Sequence, residues 1–164
     1  IKNEIYKNIN IPVILSHDRL FPNTNKSVII KTNGFFETGN EKGFSTNIID
    51  GVWSGRTVTY TNIQIAIHLG LNPIYLIGCD HYYIEKKPKS QTSTVVTHEN
   101  QQNHFIEGYR KEGQKVNYAP IDIMTRAYQN AKDNCDDLGV QIFNATRGGH
   151  LEIFLRKNFD ETIQ

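Results

Sequence analysis

An excess of either charge is what this chain most plainly lacks: across 164 residues, 18 Lys and Arg are almost balanced by 17 Asp and Glu. That argues against a general nucleic-acid or acidic-membrane binder, and leaves open only a local basic patch. Cysteine is scarce as well. Cys79 and Cys135 are the only two, far apart and without the spacing of metal ligands, and they read as reduced thiols of a cytoplasmic protein. No apolar run approaches the roughly 20 residues that span a bilayer, and no segment reads as a signal peptide. The Gly-x-x-x-x-Gly-Lys pattern of a P-loop and the Gly-x-Ser-x-Gly elbow of a serine nucleophile are both missing. The first residue is Ile1 rather than a methionine, so the chain is expected to be a piece of something longer. Its length suits one domain better than two.

What is present alternates between two periods. "IPVILS" (Ile11 to Ser16) and "SVIIKT" (Ser27 to Thr32) are short β-branched runs bounded by turn residues and predict strands. "FSTNIID" (Phe44 to Asp50) is expected to be a further strand, and "GVWSGRTVT" a loop leading into a helix. That helix, about Thr57 to Leu69, carries Ile63, Ala66 and Ile67, with Gly70 at its exit. Pro73 to Ile77 follows as a strand expected to be buried on both faces. "PIDIMTRAYQNAKDNCDDLG" puts Ile121, Met124, Tyr128, Ala131, Cys135 and Leu138 on one helical face, with Pro120 in the first turn and Gly139 at the exit. "VQIFNA" (Val140 to Ala145) is the next strand, and "LEIFLR" a second short apolar run. The alternation predicts an α/β protein, a three-layer Rossmann-like sandwich with a mainly parallel sheet over residues 1–164. The polar stretch Glu85 to Asn103 is too long for a routine connection and reads as a disordered loop or a lid.

Four groups of residues could carry chemistry. The strand at Ile74 to Ile77 ends abruptly in Gly78, Cys79, Asp80 and His81, at the sheet edge where open α/β folds bind ligands. There a carboxylate could orient a ribose, hold a metal or act as a base; equally, Asp80 could cap a turn and leave His81 exposed. "SGRTVTYT" opens the first helix, where free N–H groups favour anions. Ser54, Thr57 and Thr59 add hydroxyls and Arg56 a guanidinium suited to phosphate; ordinary capping explains them as well. "NHFIEGYR" offers His104 as a general base, or a surface histidine. "NATRGGHLE" combines Gly148 and Gly149, which permit close backbone approach, with Arg147 and His150, and could also be a plain turn.

"TYTNIQIAIHLGLNPIYLIGCDHYY", the "NHF…GY" segment and "AYQNAKDNCDDLGVQIFNATRGGHLEIFLRKNFDE" together resemble the MptE-like family, named after archaeal 6-hydroxymethylpterin diphosphokinase. The likeness runs from about Phe44 to the C-terminus, and "FNATRGGHLEIF" is its most specific part. In bacteria the domain often occurs in surface-polysaccharide and flagellin-glycosylation proteins. The helix–strand piece is also similar, more distantly, to CMP-sialic-acid-dependent sialyltransferases. The resemblance implies that Asp80 lies beside a nucleotide, that Thr57 to Tyr60 face its phosphates, and that His104 is the catalytic base after a variable lid. It implies a nucleotide-edge or structural role for Asn144, Thr146 and Arg147. Relatives begin with a Gly-x-Gly-Pro-Ser-type loop that nothing in Ile1 to Thr32 matches. The chain is therefore expected to be the C-terminal part of a longer MptE-like domain, or one that has lost half its site.

The expectation is a transferase domain acting on a nucleotide-linked substrate, a nucleotide sugar used in cell-surface glycan assembly, with a glycan acceptor. It would work in the cytoplasm or at the periphery of the inner membrane, without a membrane span. A pyrophosphokinase that acts on a pterin-like alcohol with ATP and Mg²⁺ is the alternative enzyme. A non-catalytic domain that binds a nucleotide or a partner is the alternative outside catalysis. No metal ligands are assigned.

Overall fold

A computed structural model describes residues 13–15, 27–36, 43–84, 94–96 and 113–162. The chain divides into two compact units, Ile1–Leu71 and Asn72–Gln164. Short strands, many of them paired in parallel, alternate with helices, so the protein is α/β.

In the first unit, β1 (Val13–Leu15) pairs in parallel with β2 (Ser27–Ile29). The run expected as one strand from Ser27 to Thr32 divides: β3 (Thr32–Phe35) belongs to a second parallel pair, with β4 (Val52–Ser54). Two expectations are corrected here. Phe44 to Asp50 is not a strand, because Asn47 closes a 3-10 turn over Ile48–Asp50: its side chain accepts from the Ile49 N–H and donates to the Asp50 carboxylate. The segment read as a loop contains β4 instead. Helix α1 (Val58–His68) starts where the Thr57 side chain accepts from the Thr59 N–H, the usual N-cap. It packs on β4, but only in part through the apolar stripe expected of it, since Ile63 alone of that stripe is enclosed. Ala66 and Ile67 are only half-buried, whereas Tyr60, Ile63 and Gln64 are fully enclosed.

Gln64 explains the difference. Its Oε1 accepts from the N–H groups of Ser45 and Trp53, each at 3.0 Å, and its Nε2 donates to Trp53 O at 2.9 Å and Tyr60 O at 3.0 Å. The amide thus exchanges both kinds of bond with the Trp53 backbone, as a neighbouring strand would. The apolar surround is Ile30, Phe44, Val52 and Ile63, with the Phe36 and Phe44 rings against Tyr60 at 6.0 and 5.7 Å.

In the second unit, β5 (Ile74–Leu76) and β8 (Ile142–Asn144) are parallel, and α2 (Ile121–Asp137) lies between them in the chain, as a βαβ crossover requires. Strand β9 (Leu155–Arg156) adds to the far side of β8, also in parallel. Strand β6 (Thr94–Val96) pairs antiparallel with β7 (Lys115–Asn117). Part of the stretch read as loop or lid is therefore strand, and the rest of it lies outside the described residues.

Helix α2 buries Met124, Tyr128, Ala131 and Cys135 of the stripe that the sequence pattern predicts, together with Ala127, but Ile121 is half-buried and Leu138 is 49% exposed beyond its end. Gly139 takes the left-handed conformation at the exit (φ +68°). Burial pushes the Cys135 thiol up to about 11, reinforced by Asp136 and opposed by Lys132, so it is an inert core residue. Strand β5 is not buried on both faces. Leu76 is enclosed, while Tyr75 is 38% exposed and its ring stacks on Phe143 in the next strand, with Ile77 beyond it 58% exposed.

Candidate functional site

The strands of the second unit end in a crevice that is apolar over most of its lining, with Asp80, Thr146 and Arg147 as its polar residues. Ile77, Gly78 and Asp80, which follow β5, and Ala145, Thr146 and Arg147, which follow β8, line a cavity of about 220 Å³, with Phe159 at its margin. This is the carboxyl end of a parallel pair, where backbone groups leave the ladder and can turn to a ligand. Phe159 opens the short helix α3 (Phe159–Thr162).

Backbone contacts fix the crevice. The Ala145 N–H donates to Leu76 O at 2.8 Å, and the Cys79 N–H donates to Thr146 Oγ1 at 3.0 Å. The His150 N–H donates to Asp80 O at 2.7 Å. Gly149 sits so close to Asp80 that a Cβ there would lie 2.8 Å from Asp80 O, and its φ is +74°. Both facts require glycine at that position. The Asp80 side chain itself is exposed.

Arg156 holds the turn from the other side. Its guanidinium donates to the carbonyls of Thr146 (3.2 Å), Gly148 (2.7 Å) and Gly149 (3.1 Å). The Glu152 carboxylate takes its remaining bonds. That hydrogen bond holds Glu152 below the usual carboxylate range and Arg156 above its own. Arg147 forms an ion pair with Asp160 of α3 and lies over the Phe159 ring, 4.6 Å from its centre. Both partners of the ion pair are about 70% exposed (69% and 70%).

His81 stands beside the crevice in a left-handed conformation, φ 53°. Its Nε2 lies 2.8 Å from Thr125 Oγ1, and that hydroxyl donates to Ile121 O, so Nε2 carries the proton and donates. Nδ1 is buried with no hydrogen-bond partner. Burial first, and the neighbouring His150 second, hold its pKa below the ordinary imidazole value, which keeps the ring neutral at pH 7. The Tyr128 ring meets it edge-on at 5.4 Å.

Of the residues singled out by sequence, Asp80, Thr146 and Arg147 come together around one cavity. Two others are buried in the scaffold. Tyr60 is fully buried and its hydroxyl donates to Gly43 O at 2.7 Å. Asn144 is buried too; its Nδ2 donates to Leu151 O at 2.7 Å and its Oδ1 accepts from the Thr146 N–H at 3.0 Å. Both side chains spend these polar groups on the scaffold. Ser54, Arg56, Thr57 and Thr59 belong to the first unit. There the Thr57 oxygen caps α1, Ser54 O accepts from the Phe36 N–H, and the Arg56 guanidinium lies over the Phe35 ring at 3.7 Å. His104 lies outside the described residues. Sequence reasoning passed over Arg156, Phe159 and Asp160. The Glu152–Arg156 spacing of four was a weak signal, and nothing in sequence linked Asp160 to Arg147.

Among the described residues no group of three or more His, Cys, Asp or Glu side chains is placed to hold a metal ion. No helix among them is long and apolar enough to cross a membrane. No family model, curated protein or solved structure matches the chain.

Proposed function

We propose that the second unit binds a nucleotide-linked substrate in the crevice at the carboxyl ends of β5 and β8, as part of a transferase related to the MptE-like proteins. The observation that supports this most is the meeting of Asp80, Thr146 and Arg147 around one cavity at a parallel-strand end. An acceptor-only carboxylate suits ribose hydroxyls, and a guanidinium suits phosphate. The cavity, about 220 Å³, is smaller than the roughly 300–1,000 Å³ of a pocket that encloses a whole drug-sized ligand. It is sized for the sugar and phosphate portion, with the base outside.

In this reading the donor is a nucleotide sugar used in cell-surface glycan assembly, in the cytoplasm or at the inner membrane's periphery. His104 deprotonates the acceptor hydroxyl, and the complete fold is a Rossmann-like three-layer sandwich. A second reading, binding without catalysis, draws on one observation. The imidazole beside the crevice, His81, has its protonated nitrogen on Thr125 and its basic nitrogen, Nδ1, buried, which leaves Asp80, among the described residues that line the crevice, as the one able to act as a base.

The test is a thermal-shift panel of CMP, CDP, UDP, GDP and ATP, each with and without Mg²⁺. The proposal expects stabilisation by a sugar-carrier nucleotide, independent of metal and abolished by Asp80→Ala. A response to ATP and Mg²⁺ alone would move the assignment to pyrophosphoryl transfer onto a pterin-like alcohol. Binding without turnover of a matching sugar nucleotide, in wild type and His104→Ala alike, would favour the non-catalytic reading.

A further inference from the structure

The turn from Thr146 to His150 has a polarity imposed on it. Arg156 draws the carbonyls of Thr146, Gly148 and Gly149 to one side. In a trans peptide the C=O and N–H point in opposite directions. The N–H groups of Arg147, Gly149 and His150 must therefore face away from Arg156. One of the three shows which side that is: the His150 N–H donates to Asp80 O, and Asp80 lines the crevice. The other two are likewise turned from Arg156, and of their residues Arg147 lines the crevice. Among the described residues, neither they nor the Gly148 N–H meet an acceptor. Arg147, from the same turn, lines the crevice, and its guanidinium pairs with a carboxylate, Asp160.

We propose that this turn is an anion subsite for the phosphoryl group of the ligand. The backbone N–H groups of Arg147 and Gly149 and the Arg147 guanidinium receive its oxygens, and Asp160 occupies Arg147 until the ligand displaces it. Successive backbone N–H groups that converge in a turn make a concave cradle for anions, and a guanidinium adds charge-assisted bonds. Arg156 acts as a positioning residue: it touches no ligand, but it fixes which way the peptides face. The exchange also balances charge. Asp80, Asp160 and Glu152 surround the turn, so an additional anion would be repelled, whereas one that replaces Asp160 on Arg147 leaves that side chain's pairing intact. Because the exchanged ion pair is exposed, it costs the ligand little to break. The inference rests on the nucleotide-linked reading above and specifies where its phosphate sits.

Inorganic pyrophosphate is the probe, titrated into the full ¹⁵N-labelled chain. Amide shifts at Arg147 and Gly149 are expected. Asp160→Asn should tighten binding roughly 1.5- to 5-fold, the range that an exposed ion pair represents. Arg147→Gln should weaken it by about tenfold or more, as the loss of a charged hydrogen bond predicts. An unchanged affinity in Asp160→Asn, or no shift at either amide, overturns the proposal. Cytidine, uridine, guanosine and adenosine, titrated separately, keep the two readings apart. Shifts near Ile77 and Asp80 with a nucleoside, but none with pyrophosphate, would leave the nucleotide reading standing and remove this subsite. Shifts at the turn with pyrophosphate, and none with any nucleoside or nucleotide, would do the reverse.

Discussion

The two units solve one problem in different ways. Each must hold a helix beside a short parallel pair. In the first unit, α1 is joined to β4 by a buried amide, with Gln64 bonded to Trp53 on both its N–H and its C=O. In the second, α2 is held by an apolar stripe from Met124 to Cys135. The consequence falls on what is left over. The first unit spends polar side chains on its scaffold: Gln64, the Tyr60 hydroxyl on Gly43, and Thr57 as a cap. The second unit holds its helix by an apolar stripe, and at its strand ends Asp80 and Arg147, the latter paired with Asp160, line a cavity. The helix that looks more like a phosphate site in sequence is thus the one where the Thr57 and Tyr60 hydroxyls are engaged in building.

The contrast can be broken most directly at Gln64. Gln64→Leu keeps the volume but leaves the Ser45 and Trp53 N–H groups without this partner, while the Trp53 carbonyl keeps the Thr61 hydroxyl. At about 1–3 kcal/mol for each of the two unsatisfied groups, denaturant unfolding should show a loss of roughly 2 kcal/mol or more. A loss below about 1 kcal/mol would mean that the amide is dispensable and the contrast false. In the second unit the vulnerable point is backbone approach. Gly149→Ala forces a left-handed alanine, at about 1–2 kcal/mol, and drives its Cβ against Asp80 O. It should cost about 2–3 kcal/mol in the same assay and remove nucleotide and pyrophosphate binding. Retained binding would show that the close approach does not shape the crevice.

The smallest effect concerns pH. His81 has its pKa lowered in the fold, so the neutral form is favoured there. That contribution is complete above the ordinary imidazole value of 6.5 and is lost progressively as pH falls below it. Between about pH 7.5 and 5, His81→Asn should therefore show a smaller fall in melting temperature than wild type. Asparagine suits the test because it tolerates the left-handed backbone. An equal fall in both proteins would assign the acid sensitivity to other groups.

Sequence periodicity reached some of these features and not others. The α2 stripe and the strands near Ile74 and Ile142 were legible because a long or uninterrupted apolar pattern dominates local propensity. So was the abrupt change after Ile77, which places Asp80 at a strand end. The segment from Phe44 to Ser54 was misread because Asn47 and Gln64 override its β-branched character. Asn47 acts two and three residues away, and Gln64 acts from the next element. Such side-chain-to-backbone bonds compete with strand formation and leave little trace in hydrophobic pattern. Leu138 and the outer face of β5 were over-assigned to the core because apolarity alone does not say which faces are covered. The roles of Arg156 and Asp160 depend on where a glycine turn brings its carbonyls, which no spacing rule encodes.

The bond between the His150 N–H and Asp80 O runs from main chain to main chain. The shape of the crevice at that point therefore does not depend on which side chain position 80 carries, whereas its chemistry does. An exchange there, to asparagine, serine or glutamate, changes the group presented to the crevice without disturbing the turn that frames it. Position 149 offers no such freedom, since any side chain would collide with the main chain opposite. The crevice thus joins a socket of fixed form to an interchangeable contact.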